Sequence, residues 1–372
     1  MEINRAVSAF VMMTNRCSMN CSYCFERETF RKSSKDMSLE VANKTSDFLL
    51  NAAKGTSGCD VVSFTYFGGE PLLNWEIIKK NILYNKKLEK ESGIKFEMDI
   101  LTNAYRLPEN TEDFFKTIKE NDISIQASLD GCRESHNAAR GHFDEIVKNI
   151  KKIIEGTGKL IIVRMTVTPE NSKYIYESFK TMIGLSNKIA TSLIVEGNWT
   201  DKAINEVRGE FKKTINYYNN KYAKRNVGFN IVRSLNKGCV TTCKAGDTFV
   251  GISVDGDIYP CHRFITFKDH EKWKMGSVFE TNITRKDLSY CMKKCESCAC
   301  TICTPCPAAF LSIKEQSSPE GYCKACKAIE EVCRPIAERI FIRNQLDAQN
   351  KVLRKLTELN VRMAECIIKK ES

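Results

Sequence analysis

The chain has 372 residues, of which 42% are hydrophobic and 28% are charged, and its formal net charge is +11. This composition excludes a disordered or collagen-like chain, and no apolar run approaches the ~20 residues that a membrane-spanning helix needs. The first residues also lack the cleavage-site pattern of a secretory signal. Eighteen cysteines are present, and in a chain without an export signal closely spaced cysteines indicate metal or cluster ligands rather than disulfides.

The first 225 residues or so alternate short β-rich runs with amphipathic stretches. Apolar residues three and four positions apart predict helices, and the runs between them predict strands. Alternation of this kind is typical of a parallel sheet, and six units predict an α/β fold, a partial (β/α)6 TIM-like barrel with its chemistry at the C-terminal ends of the strands. The predicted strands span 6–13, 61–67, 96–102, 123–129, 159–167 and 190–197, and the predicted helices span 38–54, 74–91, 111–121, 143–156 and 173–184.

Three cysteines, Cys17, Cys21 and Cys24, lie just after the first predicted strand. Three thiolates on one loop can hold three irons of a [4Fe–4S] cube and leave the fourth iron open to a ligand, whereas four cysteines would close the cluster. The C-x3-C-x2-C spacing therefore predicts a three-cysteine cluster at the end of this strand. Structural or zinc-binding cysteines are the alternative.

This loop resembles that of the radical S-adenosylmethionine (SAM) superfamily, with the aromatic residues Tyr23 and Phe25 on either side of the third cysteine. A second match follows the next predicted strand, which ends in Gly-Gly-Glu-Pro. In the family this motif holds the amino group of SAM, so the resemblance implies that Gly68, Gly69 and Glu70 bind the cofactor, with Tyr23 beside it. The residue types fit, because glycines let the backbone approach a ligand and a carboxylate pairs with an ammonium.

A third match is Ser-Leu-Asp-Gly, followed by His136 and Arg140, which resembles the family's S-x-D-G…H-x3-R stretch. The resemblance implies that Ser128 contacts the SAM ribose and that Arg140 receives the methionyl carboxylate. The alternatives are that Asp130 caps a helix and that Arg140 is solvated. His136 and His142 are expected to start a helix or lie on the surface rather than to bind a ligand. Asn103 closes another strand where the family often has Thr-Asn-Gly, although alanine replaces that glycine here, and it is a further predicted SAM contact.

Most of the remaining cysteines follow residue 238. Cys243, Gly256 and Cys261 resemble the C-x9–15-G-x4-C opening of a SPASM domain, a small cysteine-rich domain that holds two auxiliary [4Fe–4S] clusters. The glycine suits the hairpin turn predicted within 249–261, which needs positive φ. The later spacings depart from the usual C-x2-C-x5-C-x3-C, and zinc ribbons are the alternative. The predicted auxiliary ligands, not assigned to individual clusters, are Cys239, Cys243, Cys261, Cys295, Cys298, Cys303, Cys306 and Cys323.

The resemblance implies three parts: a radical SAM partial barrel over 1–228, a SPASM domain over 229–340 and a C-terminal helix over 341–372. It also implies an oxidoreductase chemistry in which an external electron donor reduces the first cluster. Cleavage of SAM then gives methionine and a 5′-deoxyadenosyl radical, which takes a hydrogen atom from the substrate. Because such clusters require low oxygen, we expect the protein in the cytoplasm and without a membrane partner.

The substrate that the resemblance implies is a peptide. The run Tyr-Pro-Cys-His-Arg-Phe looks like crosslink-forming maturases of ribosomally made peptides, which install a thioether or carbon–carbon bond, and it identifies His262 and Arg263 as candidate catalytic residues. The alternative is an anaerobic sulfatase-maturating enzyme, which forms formylglycine and carries Tyr-Pro-Cys-Asp, although a histidine could itself act as the base.

Two further questions concern partners. The +11 charge would also suit a zinc- or cluster-bearing regulator that binds nucleic acid. That hypothesis does not account for Gly-Gly-Glu-Pro at a strand end, and the basic residues form no strip with aromatic residues. Sixteen residues precede Cys17, so we expect no fused winged-helix domain for a peptide leader. A separate leader-recognition protein, the barrel face and a leader-free substrate are all open.

Overall fold

The structure is a computed structural model that describes residues 5–27, 33–223, 225, 227–237, 243–288, 298, 300–303, 306–313 and 320–371. Two predicted auxiliary ligands, Cys239 and Cys295, lie outside these residues. None of the helices in this part of the chain has the length and apolar character of a membrane span.

One sheet organises the described residues. Its strands are β1 (Arg5–Met12), β2 (Cys59–Phe67), β3 (Lys95–Thr102), β4 (Ser124–Ser128), β5 (Ile162–Val167), β6 (Lys188–Leu193), β7 (Gly228–Phe229), β8 (Phe249–Ile252), β9 (Asp257–Tyr259) and β10 (Gly276–Ser277). Their order in the sheet is β10-β9-β8-β1-β2-β3-β4-β5-β6-β7. Strands β1 to β7 pair in parallel, so each connection must cross back over the sheet. The predicted α/β fold with six parallel units is confirmed.

Helices make those crossings. They are α1 (Leu39–Lys54), α2 (Trp75–Ser92), α3 (Thr111–Glu120), α4 (Arg133–Ala139), α5 (Phe143–Thr157), α6 (Ile175–Ile183), α7 (Asp201–Lys221), α8 (Asn230–Lys237), α9 (Pro307–Ile313) and α10 (Glu320–Glu371). The five helices predicted between the strands are present, whereas α4, α7 and α8 were not predicted. The last helix begins at Glu320, so the expected boundary at residue 340 falls inside it.

Strand β5 illustrates how the sequence separates the two faces of the sheet. Val163 and Met165 are buried and belong to the same apolar core as Phe179 of α6. Arg164, between them, is only partly buried and lies on the opposite face, because successive side chains of a strand alternate in direction. That opposite face lines the inside of the curved sheet. On β5 the core is therefore on the helix side, and the inner face carries the polar side chain of Arg164.

The parallel register brings the carboxyl ends of neighbouring strands to one edge. Met12 pairs with Phe67 at the ends of β1 and β2, and Thr102 of β3 pairs with Ala127 of β4. The segments that follow these strands carry the three cysteines, Gly-Gly-Glu-Pro, Asn103 and the Ser-Leu-Asp-Gly stretch. Motifs that are far apart in the sequence therefore meet at the same edge.

The predicted hairpin in 249–261 is present, with β8 and β9 antiparallel and Gly256 at the turn with φ +85°. The sequence did not predict that β8 also pairs in parallel with β1, where Val11 lies opposite Ile252. This pairing joins the cysteine-rich part of the chain to the edge of the barrel sheet. It places Cys261, two residues after β9, close to the strand that leads into the three cysteines.

Candidate active site at the carboxyl ends of the strands

The three cysteines lie on a tight loop after β1, which we call the cysteine loop (residues 13–24). Cys17, Cys21 and Cys24 are all half-buried, with no disulfide. The amide of Cys24 donates to the carbonyl of Cys21 at 3.2 Å. Burial raises the pKa of Cys17 to about 11 and that of Cys24 to about 12, so the free thiols hold their protons at neutral pH. A metal that binds them must therefore displace protons.

Two polar side chains from other elements reach these sulfur atoms. Asn103 Nδ2, after β3, lies 3.8 Å from Cys17 Sγ, and Arg140 Nη1, after α4, lies 3.7 Å from Cys21 Sγ. In the described part of the chain no three Cys, His, Asp or Glu side chains converge as ligands of a single metal ion. An iron–sulfur cube differs from such a site because each cysteine binds its own iron. The donor set, three half-buried thiols with hydrogen-bond donors beside them, fits a cube.

The two glycines of Gly-Gly-Glu-Pro hold the cysteine loop against the end of β2. Gly69 N donates to Thr14 O at 2.9 Å. A Cβ on Gly69 would lie 2.1 Å from Arg16 O and 3.1 Å from the Cβ of Cys17. Gly68 has φ +120°, and a Cβ there would lie 2.4 Å from Thr14 O. Only glycine fits at these two positions, because the two backbones touch there.

Glu70 joins the ends of β2 and β3 from a fully buried position. Its carboxylate accepts hydrogen bonds from Thr102 Oγ1 at 2.7 Å, from Asn103 N at 2.7 Å and from Leu72 N at 3.1 Å. Burial raises the pKa of Glu70 to about 7, although these donors oppose the shift. A carboxylate offers about four acceptor sites, so one remains for an ammonium. The role of Glu70 toward SAM stays a prediction.

Asp130 is the polar centre of the site and is fully buried. Its Oδ2 accepts from Arg140 Nε at 2.8 Å and from the Tyr23 hydroxyl, and its Oδ1 accepts from Thr166 N at 2.9 Å. The Arg140 guanidinium also lies 5.2 Å from the centre of the Tyr23 ring. One carboxylate therefore ties the cysteine loop, the end of β4, strand β5 and the end of α4 together.

The alternative roles considered for Asp130 and Arg140 are wrong here, and His136 lies on α4, as one of its two alternatives had it, but not at the surface. Asp130 does not cap α4, whose N-cap is Cys132 without a side-chain hydrogen bond. Arg140 is not solvated, because its side chain is 12% exposed. His136 is fully buried, and its Nδ1 accepts a hydrogen bond from Asp130 N at 3.0 Å. Burial lowers the pKa of His136 to about 4, so it is a neutral support for the Asp130 turn.

Ser128 and Arg164 lie opposite each other on neighbouring strands, since β4 and β5 pair at these residues. Both are partly buried on the inner face of the sheet. Arg164 Nη2 donates to Ser192 Oγ of β6 at 3.0 Å. Ser128, predicted to contact the ribose, therefore has an arginine as its nearest neighbour across the strands. The sequence analysis did not single out this arginine.

His262 lies directly after Cys261 and packs among aromatic rings. Its ring stacks on Phe10 with centroids 4.7 Å apart, and it meets Phe67 edge-on at 4.9 Å. Burial, followed by the charge of Arg164, lowers the pKa of His262 to about 3. Its Nδ1 is buried and has no hydrogen-bond partner among the described residues. The imidazole is therefore neutral with one unused nitrogen.

Arg263 connects three segments at the mouth of the barrel. It forms an ion pair with Glu196, which follows β6, and its guanidinium lies 4.4 Å from the centre of the Phe25 ring. Next to Phe25, Glu26 is 3% exposed, and its Oε1 has no partner within the described chain. Burial raises the pKa of Glu26 to about 8, and nearby Arg263 opposes the shift. Unpartnered buried oxygen and nitrogen atoms are uncommon, and two of them, on Glu26 and His262, lie on either side of Arg263.

The later cysteines fall into two neighbouring groups. In the first group, Cys243, Cys261 and Cys306 are close enough that Cys306 adds to the effect of burial in raising the pKa of the other two thiols. Cys306 Sγ also accepts from Ala309 N at 3.4 Å, at the start of α9. This group lies directly before the turn that carries His262.

The second group contains Cys300, Cys303 and Cys326. A hydrogen bond with Cys326 lowers the pKa of Cys303 to about 7, and Tyr322 Oη lies 3.9 Å from Cys303 Sγ. The thiol of Cys303 also contributes to the raised pKa of Cys300. The remaining predicted ligands flank this group in the sequence. Cys298 precedes Cys300, and Cys323 lies on α10 one turn before Cys326; both are half-buried.

The structure thus gathers the predicted SAM-contacting residues around Asp130 and the cysteine loop, with His262 and Arg263 on the other side of the opening. Three residues important to this arrangement were missed. Asp130 was read as a cap, and Arg164 and Glu26 were not identified. Arg164 had a signal, a cation in the middle of a β-rich run. No local pattern marks Glu26.

Comparison with known proteins agrees with this geometry. The family described as the Radical SAM superfamily matches residues 11–182. The radical SAM cyclopropyl synthase TigE of Paramaledivibacter caminithermalis is 26% identical over 157 residues, covering 38% of this chain and 31% of TigE. A cysteine-type anaerobic sulfatase-maturating enzyme of Clostridium perfringens is 22% identical over 316 residues, covering 76% of this chain and 82% of that enzyme. The alignments with the first curated relatives span about a third of their length.

The fold is also that of a solved structure. Native anSMEcpe with bound AdoMet and Cp18Cys peptide superimposes with a TM-score of 0.68 and 21% identity, covering 92% of this chain and 99% of that one. The likeness extends beyond the barrel into the cysteine-rich part. Residues 11–182, a little under half of the chain, match the Radical SAM superfamily.

Proposed function

We propose that this chain is a radical SAM enzyme that abstracts hydrogen from a ribosomally made precursor peptide and installs a thioether or carbon–carbon crosslink. The observation that carries the proposal is the convergence of Cys17, Cys21 and Cys24 with Gly-Gly-Glu-Pro and the Asp130 centre at one edge of the sheet. The family match supports the radical chemistry. The peptide substrate is supported by the likeness to anSMEcpe, which was solved with a peptide.

Cys17, Cys21 and Cys24 would hold the first cluster. When bound, a [4Fe–4S] cluster on three thiolates offers an open iron to SAM and the electron that breaks its C–S bond. Asn103 and Arg140 would donate hydrogen bonds to the cluster sulfurs or their ligands, and such bonds tune the reduction potential. The chain's own part is to position the groups and exclude water.

The predicted SAM contacts fit a ligand that lies along the strand ends. Gly68 and Gly69 let the backbone after β2 lie directly against the cysteine loop. Glu70 has one acceptor site left for the amino group of SAM. Ser128 lies farther along the same edge, where it would contact the ribose. Tyr23 and Arg140 would close the opposite side, held by their shared bonds to Asp130.

The substrate would enter beside His262 and Arg263. His262 offers an unpartnered nitrogen that can accept or donate a hydrogen bond, and its low pKa favours hydrogen bonding over proton storage. Arg263 would hold the entrance together through Glu196 and Phe25. A separate protein that recognises a peptide leader and an external electron donor are the partners we propose.

The two cysteine groups would hold the auxiliary clusters. We assign Cys243, Cys261 and Cys306 to one cluster, with Cys239 as the proposed fourth ligand. Cys303 would belong to the other cluster. Its proposed companions are Cys300 and Cys326, together with Cys295, Cys298 and Cys323 as candidates.

Formylglycine formation is the second candidate function. It is favoured by the alignment with the sulfatase-maturating enzyme of Clostridium perfringens, which covers most of both chains. His262 stands where that branch carries an aspartate in Tyr-Pro-Cys-Asp, and its pKa of about 3 makes it a weak base, so a different group would have to accept the proton. The two functions differ in product: a peptide that loses two hydrogens to a crosslink, or a sulfatase fragment whose cysteine or serine becomes an aldehyde.

The test begins with anaerobic reconstitution, reduction by dithionite and incubation with SAM. We expect about twelve irons per chain, since three cubes hold four irons each, and formation of 5′-deoxyadenosine. Cys17→Ala should abolish the product and leave about eight irons. Zinc in place of iron, with no 5′-deoxyadenosine, would refute the enzyme and favour a regulator that uses the +11 charge to bind nucleic acid.

A further inference from the structure

We infer that Arg164 and Ser192 form a carboxylate-binding subsite on the inner face of the barrel, between the proposed SAM residues and the turn that carries His262. The inference rests on the proposed function, because it names a chemical group that a ligand of that site must carry. It concerns a residue that none of the motifs described above includes.

Arg164 is the cation at this opening that lacks a counter-ion. Arg140 pairs with Asp130, and Arg263 pairs with Glu196. Arg164 forms no ion pair within the described residues. Its Nη2 donates a 3.0 Å hydrogen bond to Ser192 Oγ, and Asp130, whose charge acts on it from a distance, already pairs with Arg140. Partly buried charges are costly unless they are paired, so an unpaired arginine here indicates a site for a negative charge.

The position of Arg164 suits a ligand rather than a structural partner. It lies opposite Ser128 on one side and Ala190 on the other, so small side chains flank it along the inner face. The charge of Arg164 contributes to the lowered pKa of His262, and the charge of Arg140 contributes to the lowered pKa of Arg164, so both residues are near it. Arg164 is therefore near both ends of a molecule that extends from the cysteine loop toward His262.

The chemistry of the group selects a carboxylate. A guanidinium has five N–H donors, and the hydrogen bond to Ser192 uses one of them. The donors that remain can form the parallel pair of bonds that a carboxylate accepts. Burial lowers the pKa of Arg164, but an arginine remains charged at neutral pH. A carboxylate would thus satisfy the donors and neutralise the charge together.

Two ligands of the site could supply this carboxylate: the methionyl group of SAM, or an acidic side chain or C-terminus of the peptide. The first arm of the test measures binding of SAM and of decarboxylated SAM to the anaerobically reconstituted protein by equilibrium dialysis. If SAM supplies the group, the wild type should prefer SAM by about tenfold or more, as a charge-assisted pair implies. Arg164→Gln should reduce the preference by about tenfold, whatever Arg140 and the open iron contribute to it. Arg164→Lys should keep part of the difference.

The second arm uses short synthetic peptides with one central cysteine and one aspartate, and the same peptides with asparagine. If the substrate supplies the group, the wild type should bind the aspartate peptides about tenfold more tightly than the asparagine peptides in the same equilibrium dialysis. Arg164→Gln should bind the two sets equally. Lys188→Gln is the matched control, since it removes an exposed cation at the amino end of the neighbouring strand β6. It should leave both preferences unchanged.

The preference between paired ligands, rather than affinity alone, makes the test independent of folding, because general damage weakens both members of a pair. A wild-type protein that prefers neither SAM nor the aspartate peptides would overturn the inference. So would an Arg164→Gln variant with the wild-type preferences. A protein that binds SAM through Arg164 but forms no 5′-deoxyadenosine would instead refute the proposed function and leave the subsite intact.

Discussion

The Asp130→Asn substitution tests whether the buried ion pair at the centre of the site holds its elements together. The side chain of Asp130 is fully buried, and that of its partner Arg140 is 12% exposed. Asparagine has nearly the same shape and can still accept from Thr166 N through its amide oxygen, but it leaves the guanidinium without a counter-ion. Removal of one member of a buried pair typically costs about 3–5 kcal/mol, and the retained hydrogen bond favours the lower end of that range.

The assay is urea unfolding of the metal-free, reduced chain, with the free energy of unfolding compared between variant and wild type. Asp144→Asn is the matched control, because Asp144 pairs with Arg133 at the surface, where the side chains are 66% and 52% exposed. Exposed pairs contribute little, since water and salt screen them, so this variant should unfold like the wild type. Equal unfolding free energies for the two variants would refute the view that Asp130 is the polar centre of the site.

Three other predictions follow from the site. Gly69→Ala should lose about four irons, because its Cβ would overlap a backbone carbonyl of the cysteine loop. Gly209→Ala, whose Cβ would meet open space, should keep all of them. The measurement is the iron content per reconstituted chain. Cys303→Ser and Cys306→Ser should each lose about four irons and together about eight, and a double variant that loses no more than a single one would contradict the two-cluster assignment. In the folded chain the pKa of Glu26 is raised to about 8, so its contribution to stability is full below its unfolded pKa and is lost as pH rises through about 8. The metal-free Glu26→Gln variant should therefore lose less stability than the wild type between pH 5 and 9. Parallel profiles of unfolding free energy against pH would rule this out.

The sequence predicted the barrel strands well, because the alternation of apolar residues is a local property. Strand β5 was expected within 159–167 and spans Ile162–Val167. The pairing of β8 with β1 was not predictable in the same way. It joins residues more than 200 positions apart, and no local pattern shows which edge of the barrel sheet is free to accept a further strand. Tertiary pairing of this kind decides where the auxiliary cysteines lie.

The candidate site was predictable where a motif concentrates function in consecutive residues, as in the cysteine loop and Gly-Gly-Glu-Pro. It was not predictable where burial changes the role of a residue. Asp130 reads as a cap and His136 as a surface residue, because their neighbours in the sequence are polar. Both are fully buried, since the turn after β4 folds inward and the helices α4 to α6 cover it. Arg164 illustrates the same limit, because the alternation gives its face but not the absence of a counter-ion.

The ion pair between Arg263 and Glu196 offers a last test, which concerns how the cysteine-rich part is held to the barrel. The side chains are 17% and 27% exposed, so solvent screens the pair less than a surface pair. In a double-mutant cycle with Glu196→Gln and Arg263→Gln, contacting partners that share one interaction should couple by about 0.5–3 kcal/mol in urea unfolding. The pair links the end of β6 to the turn after Cys261, so its loss should also loosen the opening between them. Additive effects would mean that the two groups act separately, and the packing of Phe25 and His262 would then have to hold the turn in place.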